Sequence, residues 1–447
     1  MLTNRYLQAS SLLVGLFVIA CSGESTGGTS SSGQAGGPPV APAPDLGRDI
    51  LHTGLDIDLA TKTATATIDF APSPGTGATL EADGLAITGV KIEKNDIAWA
   101  FSAGKLDLGI PIDEAAPSRV VIEYGFKEQN QFEGLMASGS TLVWPYFCGN
   151  LFPCHSNPAD GTTFELSVKN TPMGETTIYP PSIPTDAPSY QIAWATGKYA
   201  TLDLGTSNQG THLSVHYFEG ALDKATLGSA HLKDVFDFYE ANYGAYPFGT
   251  EAGAVEADWG PLAYGGMEHH PLFHISKPAI ADPWIYAHEA AHGWFGDGVR
   301  IACWEDFVLS EGTVSYLEAR AVAATQGAAE GQKVWDHYKG RLDNAMAGTA
   351  PKIAWPDGCG KIDILKDNLF GDIVYMKGAY FFKALEAKIG VTLLDKSLQA
   401  FFIKYRNKAA GFVDLLAIVK SISSYDATTC AQNWLRTEAV PADAACL

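Results

Sequence analysis

His288-Glu289-Ala290-Ala291-His292-Gly293-Trp294-Phe295-Gly296-Asp297 is the stretch on which the reading turns. On an α-helix, residues four apart share a face, so His288 and His292 can reach one point. Imidazole nitrogen suits zinc, and a catalytic zinc site takes three protein ligands and keeps one position open. Glu289, beside the first histidine, stands where a general base would take a proton from a water attacking a carbonyl. The competing reading is a helix carrying two unrelated histidines.

Moving outward, Glu311 follows His292 with eighteen residues between them, at the start of a helical pattern. It turns a two-histidine hint into a His2Glu set, an open catalytic type. Glu318 lies seven residues further, on the same helix face, placed to accept a hydrogen bond from a ligand histidine and fix its tautomer. Apolar spacing predicts helices over 284–297, 310–328, 330–348, 373–389, 392–408 and 412–423. An earlier helix begins near 224, where Leu227, Leu232, Val235, Phe236, Tyr239 and Tyr243 form one apolar face. Upstream the period changes. Stretches 54–59, 64–70, 119–124 and 163–168 alternate apolar and polar residues, as half-buried strands do. The expectation is an α+β multidomain chain: an all-β, sandwich-like domain over 46–223, then a mainly helical domain over 224–447 with a few strands near 252–275.

The N-terminus reads as an export signal. Arg5 precedes an apolar stretch over 12–20 that is too short to span a bilayer comfortably. It ends in Val18-Ile19-Ala20-Cys21, which resembles a bacterial lipoprotein signal: residues 1–20 removed and Cys21 lipidated. Residues 21–45 are rich in Ser, Gly and Pro and read as a flexible tether. Its ~24 residues would hold the folded part ~25–30 Å from a membrane. The expected location is extracytoplasmic, at the outer membrane or cell surface, with membrane contact through the lipid only. A formal charge of −20 argues against nucleic acid as a partner. Seven cysteines less Cys21 leave an even set, as disulfides in an exported chain require. Of the possible pairings, closeness in sequence favours Cys148–Cys154 and Cys430–Cys446, leaving Cys303 with Cys359.

Residues 288–297 are similar to the signature of the zinc aminopeptidase family that contains aminopeptidase N and leukotriene hydrolase. The spacing to Glu311 and its surroundings, Trp304 to Gly312, match that signature too. Residues 243–248 resemble the segment leading to the family's exopeptidase motif, which appears here as Gly265-Gly266-Met267-Glu268-His269. Residues 374–379 resemble its tyrosine segment. The resemblance implies a thermolysin-like catalytic domain, one zinc ion held by His288, His292 and Glu311, and Tyr375 as donor to the oxyanion of the reaction. It implies that Gly265, Gly266 and Met267 lie on an edge strand against the substrate backbone, and that Glu268, with His269 beside it, meets the substrate's α-amine. The activity implied is removal of N-terminal residues from extracytoplasmic peptides.

Two departures qualify this. His269 stands where the family has Asn. The acid or amide that the family's first domain offers to the substrate amine has no counterpart between Ser138 and Gly149, and Trp144 takes its place. The chain runs only about seventy residues past Tyr375, short of the family's further C-terminal domains. The expectation is an amine anchor resting on Glu268 alone, in an open cleft. The alternatives are a zinc endopeptidase on the same site, or a non-catalytic surface protein that binds peptides.

Overall fold

The structure is a computed structural model that describes residues 44–130, 132–441 and 446. The expected signal, Cys21 and most of the tether lie outside the described residues. No helix among those described is long and apolar enough to cross a membrane.

The sheet-rich N-terminal region is built on a seven-stranded sheet. Its order is 182–187, 162–169, 50–58, 63–70, 118–125, 86–92, 95–96. Strand Thr63–Phe70 shows why these residues choose it: Ala64, Ala66, Ile68 and Phe70 are buried while the threonines between them turn outward. A three-stranded sheet of 78–81, 105–108 and 99–102 adds Leu80, Leu106 and Leu108 to the same apolar core. The Cys148–Cys154, Cys303–Cys359 and Cys430–Cys446 disulfides are all formed.

A second sheet of five strands opens the helical region, in the order 199–206, 212–218, 251–257, 272–276, 266–267. The first two of these strands were expected in the first domain, whose boundary was placed at 223. Alternation reveals a strand but not its neighbours. Residues 212–216 pair in parallel with 251–255, and a parallel pair needs a long crossover, which helices Leu222–Ser229 and Leu232–Tyr243 supply. By sheet membership the second unit therefore begins near 199. The short strand Gly266–Met267 is the edge, as the resemblance implied.

Helices Pro283–His292, Phe307–Gln326, Ala328–Ala347 and Asp372–Ile389 pack beyond this sheet. The first stops at His292 rather than 297 because the chain turns through Gly296, whose φ is +113°. A side chain there would lie 2.4 Å from Ser310 Oγ and 2.8 Å from His292 Nδ1. Helices 307–326 and 372–389 cross at Gly312 and Gly378. A Cβ on Gly312 would stand 2.7 Å from the Gly378 Cα, so the crossing exists only because both residues lack one. It carries Glu311 and Tyr375 to the same point.

Candidate metal and peptide site

Helix 283–292 starts cleanly. Pro283 occupies its first turn, and the Asp282 side chain caps it, accepting from Trp284 N at 3.0 Å. His288 and His292 emerge on one face with ring centroids 5.1 Å apart. Glu311 arrives from the next helix. Its Oε2 lies 3.3 Å from His288 Nε2 and 3.6 Å from His292 Nε2.

The far side of each ring is also held. His288 Nδ1 meets Glu318 Oε2 at 3.0 Å, and His292 Nδ1 meets the Phe295 carbonyl at 3.2 Å. Both partners can only accept, so each Nδ1 carries the proton and each Nε2 offers its lone pair. Ligand atoms of His288, His292 and Glu311 lie within 4.8 Å of one another. The chemistry of this donor set, two imidazoles and one carboxylate, fits zinc. Another grouping, Glu81 with Cys148 and Cys154, has no comparable capacity, because its two sulfurs are bonded to each other.

The electrostatics agree. Burial works against the charged forms of both histidines, but Glu311 and Glu318 hold His288 well above its ordinary range. Glu268 and Glu311 bring His292 up to about 9. Burial would raise Glu311, yet His292 and His288 take it down to about 2. Protons thus sit on the rings in the metal-free chain, and a metal must displace them.

Glu289 is 4% exposed, and burial pushes its carboxyl up to about 8. Its side chain closes against the edge strand. A Cβ on Gly266 would fall 2.5 Å from Glu289 Cγ and Oε1, which explains the glycine there. Ligand-capable atoms of Glu268, Glu289 and His292 also lie within 4.8 Å of one another. Tyr375 stacks on His288 at 6.2 Å and meets Phe307 edge-on. Burial, then the charges of Glu311 and Glu268, keep its phenol neutral and able to donate.

His269 is not in this group. Strand residues alternate faces. Gly266 and Glu268 look toward Glu289, whereas Met267 pairs with His274, and the His269 ring packs edge-on against His274 at 4.7 Å. The substrate-binding role expected for His269 is therefore corrected. Gly265 lies beside the edge strand, its amide 3.2 Å from Ser276 Oγ. Trp144 joins an aromatic group with Trp304, Phe307 and Phe370.

Other contributors carried no sequence signal. His270 Nε2 donates to the Glu289 carbonyl at 2.9 Å and its Nδ1 accepts from Tyr246 OH at 2.7 Å, so a neutral ring ties the metal helix to the sheet. Tyr190, Gln191 and Asp297 stand behind Glu268. Asp297 ends the motif run but suggested no role by itself.

These elements define a class of protein with two domains: a β domain, then a thermolysin-like helical domain whose His2Glu metal set lies beside an edge strand. Residues 263–434 match the Peptidase family M1 domain. Leucine aminopeptidase 2 of Neurospora crassa is 26% identical over 291 residues, 58% of this chain and 41% of that one. Leucine aminopeptidase 2 of Ajellomyces capsulatus is 30% identical over 174 residues, 36% of this chain and 27% of its own length. The chain spans half or less of the length of the first curated relatives it matches. Among solved structures, an M1 zinc metallopeptidase mutant of Deinococcus radiodurans bound to a Tyr-Ser-Ala substrate shares the fold. Its TM-score is 0.75 at 18% identity, over 88% of this chain and 96% of that one. Native yeast LTA4 hydrolase gives 0.75 at 17% identity, over 88% and 69%.

Proposed function

We propose that this chain is a zinc aminopeptidase that removes N-terminal residues from peptides with one zinc ion. The observation that carries the reading is the placement of Glu268, buried on the edge strand within reach of both Glu289 and His292. His288, His292 and Glu311 would hold the zinc, which when bound supplies Lewis acidity to the scissile carbonyl. Gly266 and Met267 offer the unpaired side of an edge strand to an extended peptide. Glu268 takes the α-ammonium by a charge-assisted contact and so sets the distance from the N-terminus to the bond that is cut. Glu289 accepts the proton of the attacking water and returns it to the leaving amine. The Tyr375 phenol donates to the oxygen that gains charge.

The test pairs one peptide in free and N-acetylated forms, before and after a chelator, with zinc restored at the end. The expected result is zinc-dependent loss of single residues from the free form. Internal cleavage of the acetylated form at equal rate would replace this reading with an endopeptidase, and zinc retention without cleavage would replace it with a binding protein. The motif at Cys21 supports export and lipid anchoring at an extracytoplasmic membrane face. Cys21→Ser should move the protein from the membrane fraction to the soluble fraction.

A further inference from the structure

Gln191 sits in a short helical turn, Ser189–Gln191, near the end of the β region, and its residue exposure is 0%. This turn reaches two acidic residues of the second domain. Gln191 Nε2 donates to the Glu268 carbonyl at 2.7 Å, and Tyr190 OH donates to Asp297 Oδ1 at 3.0 Å. Asp297 is itself anchored to the metal helix, its amide donating to the His292 carbonyl at 3.2 Å. One dipeptide therefore braces both the edge strand that carries Glu268 and the turn that follows His292.

What the brace leaves unsatisfied is all of one kind. Gln191 Oε1 and Asp297 Oδ2 are buried acceptors with no donor among the described residues. Trp144, at the position where an amide was sought, is committed to its aromatic neighbours.

We propose that Gln191 is the positioning residue of the α-amine site: by pinning the Glu268 carbonyl it holds the Glu268 carboxylate at the height where the substrate's ammonium binds. This rests on the aminopeptidase reading above. Glu268 remains the group that meets the ammonium, and Gln191 is the residue that holds it in place. The first domain still contributes an amide, but from a different segment, and it acts through Glu268 rather than on the substrate.

The experiment measures kcat and KM of wild type and Gln191→Leu on a free-amine peptide, with inhibition by L-leucine and by N-acetyl-L-leucine alongside. The expected result is KM about 10-fold higher with kcat within about twofold, the effect of one lost hydrogen bond. Inhibition by L-leucine weakens in step, and the effect of N-acetyl-L-leucine is unchanged. If Gln191→Leu melts early, Gln191→Met goes through the same assays. An unchanged KM, or a fall in kcat with both inhibitors affected alike, overturns the proposal and leaves the aminopeptidase reading standing. A wild type that shows no preference for the free amine overturns both.

Discussion

Two pairs of largely buried histidines lie in the second domain in nearly the same geometry. His288 and His292 meet at 5.1 Å and 72° between rings, and His269 and His274 at 4.7 Å and 85°. Their chemistry is opposite. Around the first pair stand Glu311, Glu318, Glu289 and Glu268, which outweigh burial and favour positive charge on the rings. Burial alone dominates the second pair. It drives His269 well below its ordinary range and His274 down to about 3, and no carboxylate answers it. Both nitrogens of His269 and one of His274 have no hydrogen-bond partner among the described residues. Two imidazoles at the right separation thus make a cation site only where acidic groups offset the cost of burying charge.

The comparison breaks most visibly at Glu289. Glu289→Gln should keep its zinc and lose about a thousandfold in kcat, read from metal content and turnover together. More than a tenth of wild-type activity would remove Glu289 as the base. Tyr375→Phe should cost about a hundredfold in kcat, mostly without change in KM. Glu318→Gln tests whether the partner behind His288 matters. Zinc affinity, measured by chelator competition, should fall about 10- to 100-fold, and an unchanged affinity would mean that Glu318 only fills space.

Smaller effects come from the neutral pair. His274 has its folded value depressed, so below pH 6.5 the unfolded chain binds a proton there that the folded chain refuses. Stability is therefore lost as pH falls from about 6.5 toward 3, by about 1.4 kcal/mol per pH unit from this group. In His274→Phe that share of the slope should vanish from unfolding curves taken across the range. His269→Asn should leave zinc content intact and kcat/KM within about threefold. A larger loss would return His269 to the substrate site.

The convergence of His288, His292 and Glu311 was readable in the chain because its logic is local. His288 and His292 are one helical turn apart, and Glu311 follows at a spacing that a second helix can close. The edge strand at Gly266 was readable only from the resemblance of residues 265–269 to a known motif. His269 was misplaced for a definite reason. Adjacent strand residues point to opposite faces, and which face meets the metal helix depends on pairing with residues 272–276. The strands at 199–206 and 212–218 went to the wrong domain because alternation does not name a partner. Gln191 lies 77 residues from Glu268 and in no motif, so nothing local announced it.

By itself the sequence determined the candidate ligands, the carboxylate beside them and the helix that aligns them, since helical periodicity acts over four residues. Only the tertiary structure decided the electrostatic difference between the two histidine pairs. That difference depends on carboxylates and donors that converge from separate elements: Glu311 through the Gly312–Gly378 crossing, Glu268 from the edge strand, and Gln191 from the first domain behind it. Charge is stabilised by what surrounds it in space, and proximity of that kind is created by folding.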